Sequence, residues 1–155
     1  MLHQFRSVRR AALVAVAALA MGACSEDEHD HEVEVDFMRI TVGAQQVMVN
    51  STGAVTNGPI ALVRNASTNI TVAFLDAAMA DALAEYAEDF QVNVTTPAGV
   101  TFTRTGPFTG TLLATTAGTY NVGFTLFHIE ENHEDFGPFN VPVNVTAPAT
   151  VIAGR

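Results

Sequence analysis

From Val33 onward, hydrophobic and polar residues alternate with a period of two, the pattern of strands with one face buried and one in water. In Thr119-Tyr-Asn-Val-Gly-Phe-Thr-Leu126, one face carries Tyr120, Val122, Phe124 and Leu126; the other carries Thr119, Asn121, Gly123 and Thr125. The last such segment sets Phe139, Val141, Val143 and Val145 against Asn140, Pro142, Asn144 and Thr146. Pro142 has no N–H to donate, so this strand, or the side of it that Pro142 faces, is expected at a sheet edge. Shorter runs repeat the pattern at Ile70–Phe74, Phe90–Val94 and Val100–Phe102. Near the start, Val33, Val35 and Phe37 hold one phase while Met38, Ile40 and Val42 hold the other. A slip of one residue predicts a β-bulge there. Asn57-Gly58-Pro59, Pro97-Ala-Gly99, Gly106-Pro107, Ala117-Gly118 and Gly137-Pro138 supply turns between the runs.

One segment departs from the alternation. Between Leu75 and Phe90 the larger apolar residues are Leu75, Met79, Leu83, Tyr86 and Phe90, in an alanine-rich context. That spacing predicts a short helix or helical turn across one end of the fold; a long hairpin loop is the alternative. Repeated short strands with frequent turns and a single helical element define the expected class. It is an all-β, immunoglobulin-like β-sandwich of about 7–9 strands with one short helix or helical turn.

The N-terminal residues read differently. Arg6, Arg9 and Arg10 precede an apolar run from Ala11 to Ala20, which ends in Met21-Gly22-Ala23-Cys24. A basic start, a short apolar centre and small residues before the cut are the parts of an export signal. The run is shorter than the ~20 residues of a spanning helix. Met21-Gly22-Ala23-Cys24 resembles the lipobox of bacterial lipoproteins, with Met where Leu is usual. The resemblance implies cleavage after Ala23 and lipidation of Cys24, which would give the mature chain a stable membrane anchor. Ser25 follows the cysteine, so an outer membrane is the expected address rather than an inner one. The expected organisation is signal peptide 1–23, acidic His-containing tether 24–32, sandwich domain 33–147 and C-terminal tail 148–155. With the only cysteine lipidated, the domain has no disulfide to rely on and must be held by its core.

Charge narrows the choice of partner. The mature chain holds all sixteen acids and four strong bases, Arg39, Arg64, Arg104 and Arg155, so its net charge is 4 − 16 = −12, with no lysine. Such a surface repels nucleic acid and favours cations or basic proteins. The acids group in the tether Ser25–Glu32, in Asp76–Asp89 and in Glu130–Asp135. The membrane, through the lipid on Cys24, and a protein are therefore the expected partners.

Gly110-Thr-Leu-Leu-Ala-Thr-Thr-Ala-Gly-Thr-Tyr-Asn-Val-Gly-Phe124, followed after a polar loop by Phe139-Asn-Val-Pro-Val-Asn-Val145, is similar to the C-terminal half of bacterial Ig-like domains. In these an Ala-Gly-Thr turn precedes the penultimate strand and a Val-x-Val strand closes the fold. The likeness spans roughly residues 90–146. The His/Asp-rich leader and His133-Glu-Asp-Phe136 also resemble small bacterial lipoproteins. Neither likeness brings a reaction with it; together they imply a surface or periplasmic binding or spacer module.

Catalytic chemistry finds no foothold. The mature serines, Ser25, Ser51 and Ser67, sit in no nucleophile elbow, and no glycine loop is shaped to cradle phosphate. The acidic segment Asp76–Asp89 lacks the spacing and central glycine of an EF-hand. A metal site is the remaining candidate. His128 and His133 flank Ile-Glu-Glu-Asn, with Glu134 and Asp135 beyond. Imidazole and carboxylate donors suit borderline ions such as Zn²⁺ and Cu²⁺. No other cofactor is called for. The competing reading has His128 continue the inward phase of Leu126 and cap the core, with His133 as one polar loop residue. His29 and His31 in the tether would scavenge metal only weakly, because ordering a flexible segment costs entropy. The expectation is thus a lipid-anchored, non-enzymatic envelope or surface module for protein interaction or structure. The alternative is a Zn- or Cu-binding lipoprotein using His128 and His133.

Overall fold

Strands form where alternation is longest, and shorter segments complete them. In a computed structural model that describes residues 33–149, the elements in chain order are β1 (Phe37–Val42), β2 (Gln45–Asn50), β3 (Val55–Thr56), β4 (Ile60–Val63) and β5 (Ser67–Leu75). They continue with β6 (Phe90–Thr95), β7 (Val100–Gly106), β8 (Thr109–Ala114), β9 (Gly118–His128) and β10 (His133–Thr146). The expected signal peptide, Cys24, the expected tether with His29 and His31, and the residues from 150 onward lie outside the described residues. Among the described residues no helix is long and apolar enough to cross a membrane.

The strands make two sheets, ordered β3-β2-β1-β5-β8-β7 and β4-β10-β9-β6. Within them β1-β5-β8-β7 facing β10-β9-β6 reproduces the four-plus-three strand order of an immunoglobulin-like sandwich. The β2–β3 pair extends the first sheet, and β4 lies parallel to β10 in the second. The fold is all-β and immunoglobulin-like, as the alternation predicts. Its ten strands exceed the expected 7–9 because β2, β3, β4 and β8 are too short or too irregular for period two to reveal them.

The core lies between the sheets. Met38, Ile40, Ile70, Val72 and Phe74 of the first sheet meet Val122, Phe124, Leu126, Val141 and Val143 of the second, all buried. Burying each such side chain contributes about 1.5–3 kcal/mol, which is how a domain without disulfides holds together.

Three local expectations change. No helix spans Leu75–Phe90; the chain runs through consecutive turns between β5 and β6. The Asp76 carboxylate accepts from the N–H groups of Ala78 and Ala80 at 2.9 Å each, and Asp81 accepts from Leu83 N–H at 3.0 Å. These side chains offer the backbone turns in place of helical hydrogen bonds. Leu75, Leu83 and Phe90 are buried, while Met79 is 48 % exposed with a left-handed φ of 65°. What remains of the helical expectation is single turns, with Tyr86 N–H donating to Leu83 O and Asp89 N–H to Tyr86 O at 3.0 Å each; the segment joins strands of different sheets, so it is not the hairpin loop of the alternative.

The phase slip near the start is not a bulge. β1 begins only at Phe37 and pairs in unbroken register with β2 and β5. Val33 and Val35 belong to a preceding non-strand segment that packs against the core, tied down where Asp36 N–H donates to Leu75 O at 2.9 Å. Two segments, each with its own phase, gave the appearance of one slipped strand.

Pro142 lies in an interior strand, yet on its open side. Thr146 O accepts from Arg64 N–H, just beyond β4, at 2.8 Å. Since backbone groups alternate sides along a strand, Pro142 faces the same way. Register with β4 starts one residue later, at Val143, so no ladder donor is missed.

Candidate metal centre

β9 and β10 form a hairpin whose loop is residues 129–132, with Asn132 in the left-handed region at φ 55°. His128 and His133 close the ladder opposite one another. Their rings stand edge to face with centroids 5.5 Å apart.

The two imidazoles are held differently. His128 continues the inward phase of Val122, Phe124 and Leu126 and is 4 % exposed. Its ring stacks on Phe90, the first residue of β6, at 4.4 Å and 26°. The next residue, Ile129, donates its N–H to Asp89 O at 2.8 Å. The capping role foreseen for His128 is thus real, although its ring is held by an aromatic stack. The His133 side chain is 49 % exposed.

A β-bulge follows the next acid and re-aims Phe136. The register passes from Glu134–Phe127 to Phe136–Leu126, so Asp135 has no partner across the ladder. Strict alternation after His133 would put Asp135 on the histidine face and turn Phe136 outward. The extra residue allows both side chains inward: Asp135 reaches the histidines, and Phe136 packs edge-on against Phe74 at 6.0 Å. A second irregularity, between Phe136 and Phe139, holds Gly137 at φ 101°, where a Cβ would stand 2.7 Å from Phe124 O. Only glycine fits there.

The result is a cluster of two imidazoles and two carboxylates. Glu131 Oε2 lies 3.5 Å from His128 Nδ1 and 3.2 Å from His133 Nδ1. Asp135 Oδ2 is 3.9 Å from His128 Nδ1, and Asp135 Oδ1 contacts His133 Nε2. Both nitrogens of His133 therefore face carboxylate oxygens. A neutral ring donates from only one of them, leaving the other lone pair against an anion. A metal ion on one of the two nitrogens relieves that repulsion.

The spacing suits a metal. Donors around a tetrahedral zinc, bonded at about 2.0–2.2 Å, stand ~3.3–3.6 Å apart. Donor atoms of His128, Glu131 and His133 all lie within 4.8 Å of one another, so a small closure of the tip would bring them onto one ion. Two nitrogens and a carboxylate match Zn²⁺ or Cu²⁺ better than the all-oxygen preference of Ca²⁺ or Mg²⁺, while Asp135, on the opposite nitrogen of His133, orients that ring.

Of the residues singled out from sequence, His128, His133 and Asp135 come together and Glu134 does not. Glu134 pairs with Phe127, one step along from the histidine pair and therefore on the opposite face of the ladder. Its place is taken by Glu131, which sequence reading passed over. The available signal was its position three residues after His128, which a tight hairpin loop folds back over the strand end. Elsewhere, Glu34, Asp76, Asp81 and Glu85 line a shallow cleft with Tyr86. There Asp76 and Asp81 already accept backbone N–H groups.

No protein-family model matches the chain, and neither does any curated protein. Among solved structures it is similar to domains 4 and 5 of the S-layer protein SbsC, with a TM-score of 0.42 and 15% identity. That match covers 74% of this chain and 54% of the other, so the chain spans about half the length of that structure. It is also similar to the Lin-41 filamin domain, with a TM-score of 0.32 and 19% identity, over 56% of this chain and 82% of that one. The fold assignment rests on the strand order and not on these likenesses.

Proposed function

We propose that this chain is a non-enzymatic, lipid-anchored module of the bacterial envelope that binds one divalent transition-metal ion at the tip of β9–β10. The observation that carries the reading is the convergence of His128, Glu131 and His133, which the four-residue loop of the hairpin brings about. Bringing donor atoms of His128, Glu131 and His133 within 4.8 Å of one another, with Asp135 on the far nitrogen of His133, goes beyond what capping the core at His128 requires. The acidic surface supports the reading by raising the local concentration of cations. Anchoring rests on the lipobox-like Met21–Cys24 and is checked by Cys24→Ser, which should move the protein from the membrane fraction to the soluble one.

Calorimetric titration of Zn²⁺ and Cu²⁺ into the purified protein tests the site. One ion should bind per chain, micromolar or tighter, and His133→Ala should weaken binding more than about 100-fold. That exceeds the roughly 10–100-fold cost of losing a residue that merely orients a ligand. His133 is half-exposed, so its loss leaves the core intact. The titration is repeated with His29 and His31 replaced by Ala, which removes scavenging by the tether. An absence of binding, or binding that His133→Ala retains, would leave the cluster as a scaffold for the hairpin and the chain as an interaction module without metal.

A further inference from the structure

Resting on the metal reading, we infer that the tip is an exchange site. It would hold its ion for transfer to or from a partner that presents nitrogen or sulfur ligands, with no role in locking the fold.

The grounds are the origin of the donors and their graded exposure. A structural zinc site is closed, its four ligands shielding the ion on every side. Here the three donors come from one hairpin tip, between His128 and His133, and the neighbouring segment meets that tip through its backbone, the Asp89 carbonyl accepting from Ile129 N–H. The side chains of His128 and Asp135 are 6 % and 15 % exposed, while those of Glu131 and His133 are 38 % and 49 %. The cluster therefore has a fixed inner half, with His128 stacked on Phe90, and an outer half facing solvent. The core beneath is complete without an ion: Phe90, Leu126 and Phe136 are buried by their neighbours, so the fold does not depend on the site being filled.

An incoming imidazole or thiolate would approach from the solvent side and bond to the ion as His133 or Glu131 lets go. His128 would release last. The ion leaves with its charge unchanged and no electron moves. The outgoing donors return to the contacts they make with one another in the metal-free protein. The net charge of the mature chain, −12 (four bases less sixteen acids), favours a basic partner.

The test is the rate of zinc release. The full-length protein is loaded with one equivalent of Zn²⁺, confirmed by titration, and mixed in stopped flow with a pyridylazo chromophoric chelator at increasing concentration. An exchange site gives a rate that climbs in proportion to chelator over at least a tenfold range, because the acceptor attacks the bound ion. A rate independent of chelator from the lowest concentration would mean that the ion leaves only after the site opens by itself, and would overturn the inference while leaving the binding reading intact. Failure to load would sink the binding reading first, and the inference with it.

Discussion

The body and the tip of the β9–β10 hairpin belong to the same two strands, yet they are built on opposite terms. In the body, Val122, Phe124 and Leu126 face Val141 and Val143 with every side chain buried, and polar residues take the outer face. At the tip the inward phase continues, but the residues become His128, His133 and Asp135. Where the body excludes water and charge, the tip gathers charge and leaves half of it in solvent. One ladder thus carries both the stability of the domain and its chemistry. The change falls between Phe136, which the bulge turns into the core, and Asp135, which alternation keeps on the face of the histidines.

The contrast is tested most severely in the body. Phe124 is fully buried in β9, which lies between β10 and β6. Phe124→Ala should cost about 3–5 kcal/mol, the transfer and cavity cost of an aromatic in a closed core, read as a lower urea midpoint at unchanged slope. Below that midpoint the variant should still bind one zinc per chain. If it stays folded but loses the site, the two regions are not separable.

Alternation made the body legible in the sequence, because a strand with one buried face records its orientation in every second residue. It failed where side chains compete for the backbone: Asp76 and Asp81 draw Leu75–Phe90 into turns even though its apolar residues keep helical spacing. At the tip, nearness in sequence identified His128, His133 and Asp135. The choice between Glu131 and Glu134 depended on how the four-residue loop folds back over the strand end, and the burial of Phe136 on a bulge; each shifts faces by single residues. No period in the sequence records such a shift.

Gly137 joins the two regions, so its replacement should register in both. A side chain at φ 101° is strained, and its Cβ would press on Phe124 O. Gly137→Ala should cost about 1–2 kcal/mol from the backbone conformation alone. The bulge at Asp135 lies just upstream and should be displaced, so zinc affinity should drop together with stability. A loss of stability with affinity unchanged would show that the tip sets its own geometry.

The smallest effect discriminates best, because it compares two acids of the same loop and strand start. Glu131 lies between the imidazoles, while Glu134 faces away beside Phe127. Both are exposed, so neither Glu131→Gln nor Glu134→Gln should move the unfolding midpoint appreciably. Removing one carboxylate anywhere on this surface lowers cation affinity slightly and equally through long-range charge, a contribution that salt screens over about 8–10 Å. Direct ligation adds a loss that salt does not remove. At physiological ionic strength Glu131→Gln should therefore weaken zinc about tenfold or more, the scale at which a group beside the ion matters, while Glu134→Gln leaves the affinity near that of the parent. Equal losses from both variants would mean that the tip attracts cations by charge alone and that Glu131 does not touch the ion.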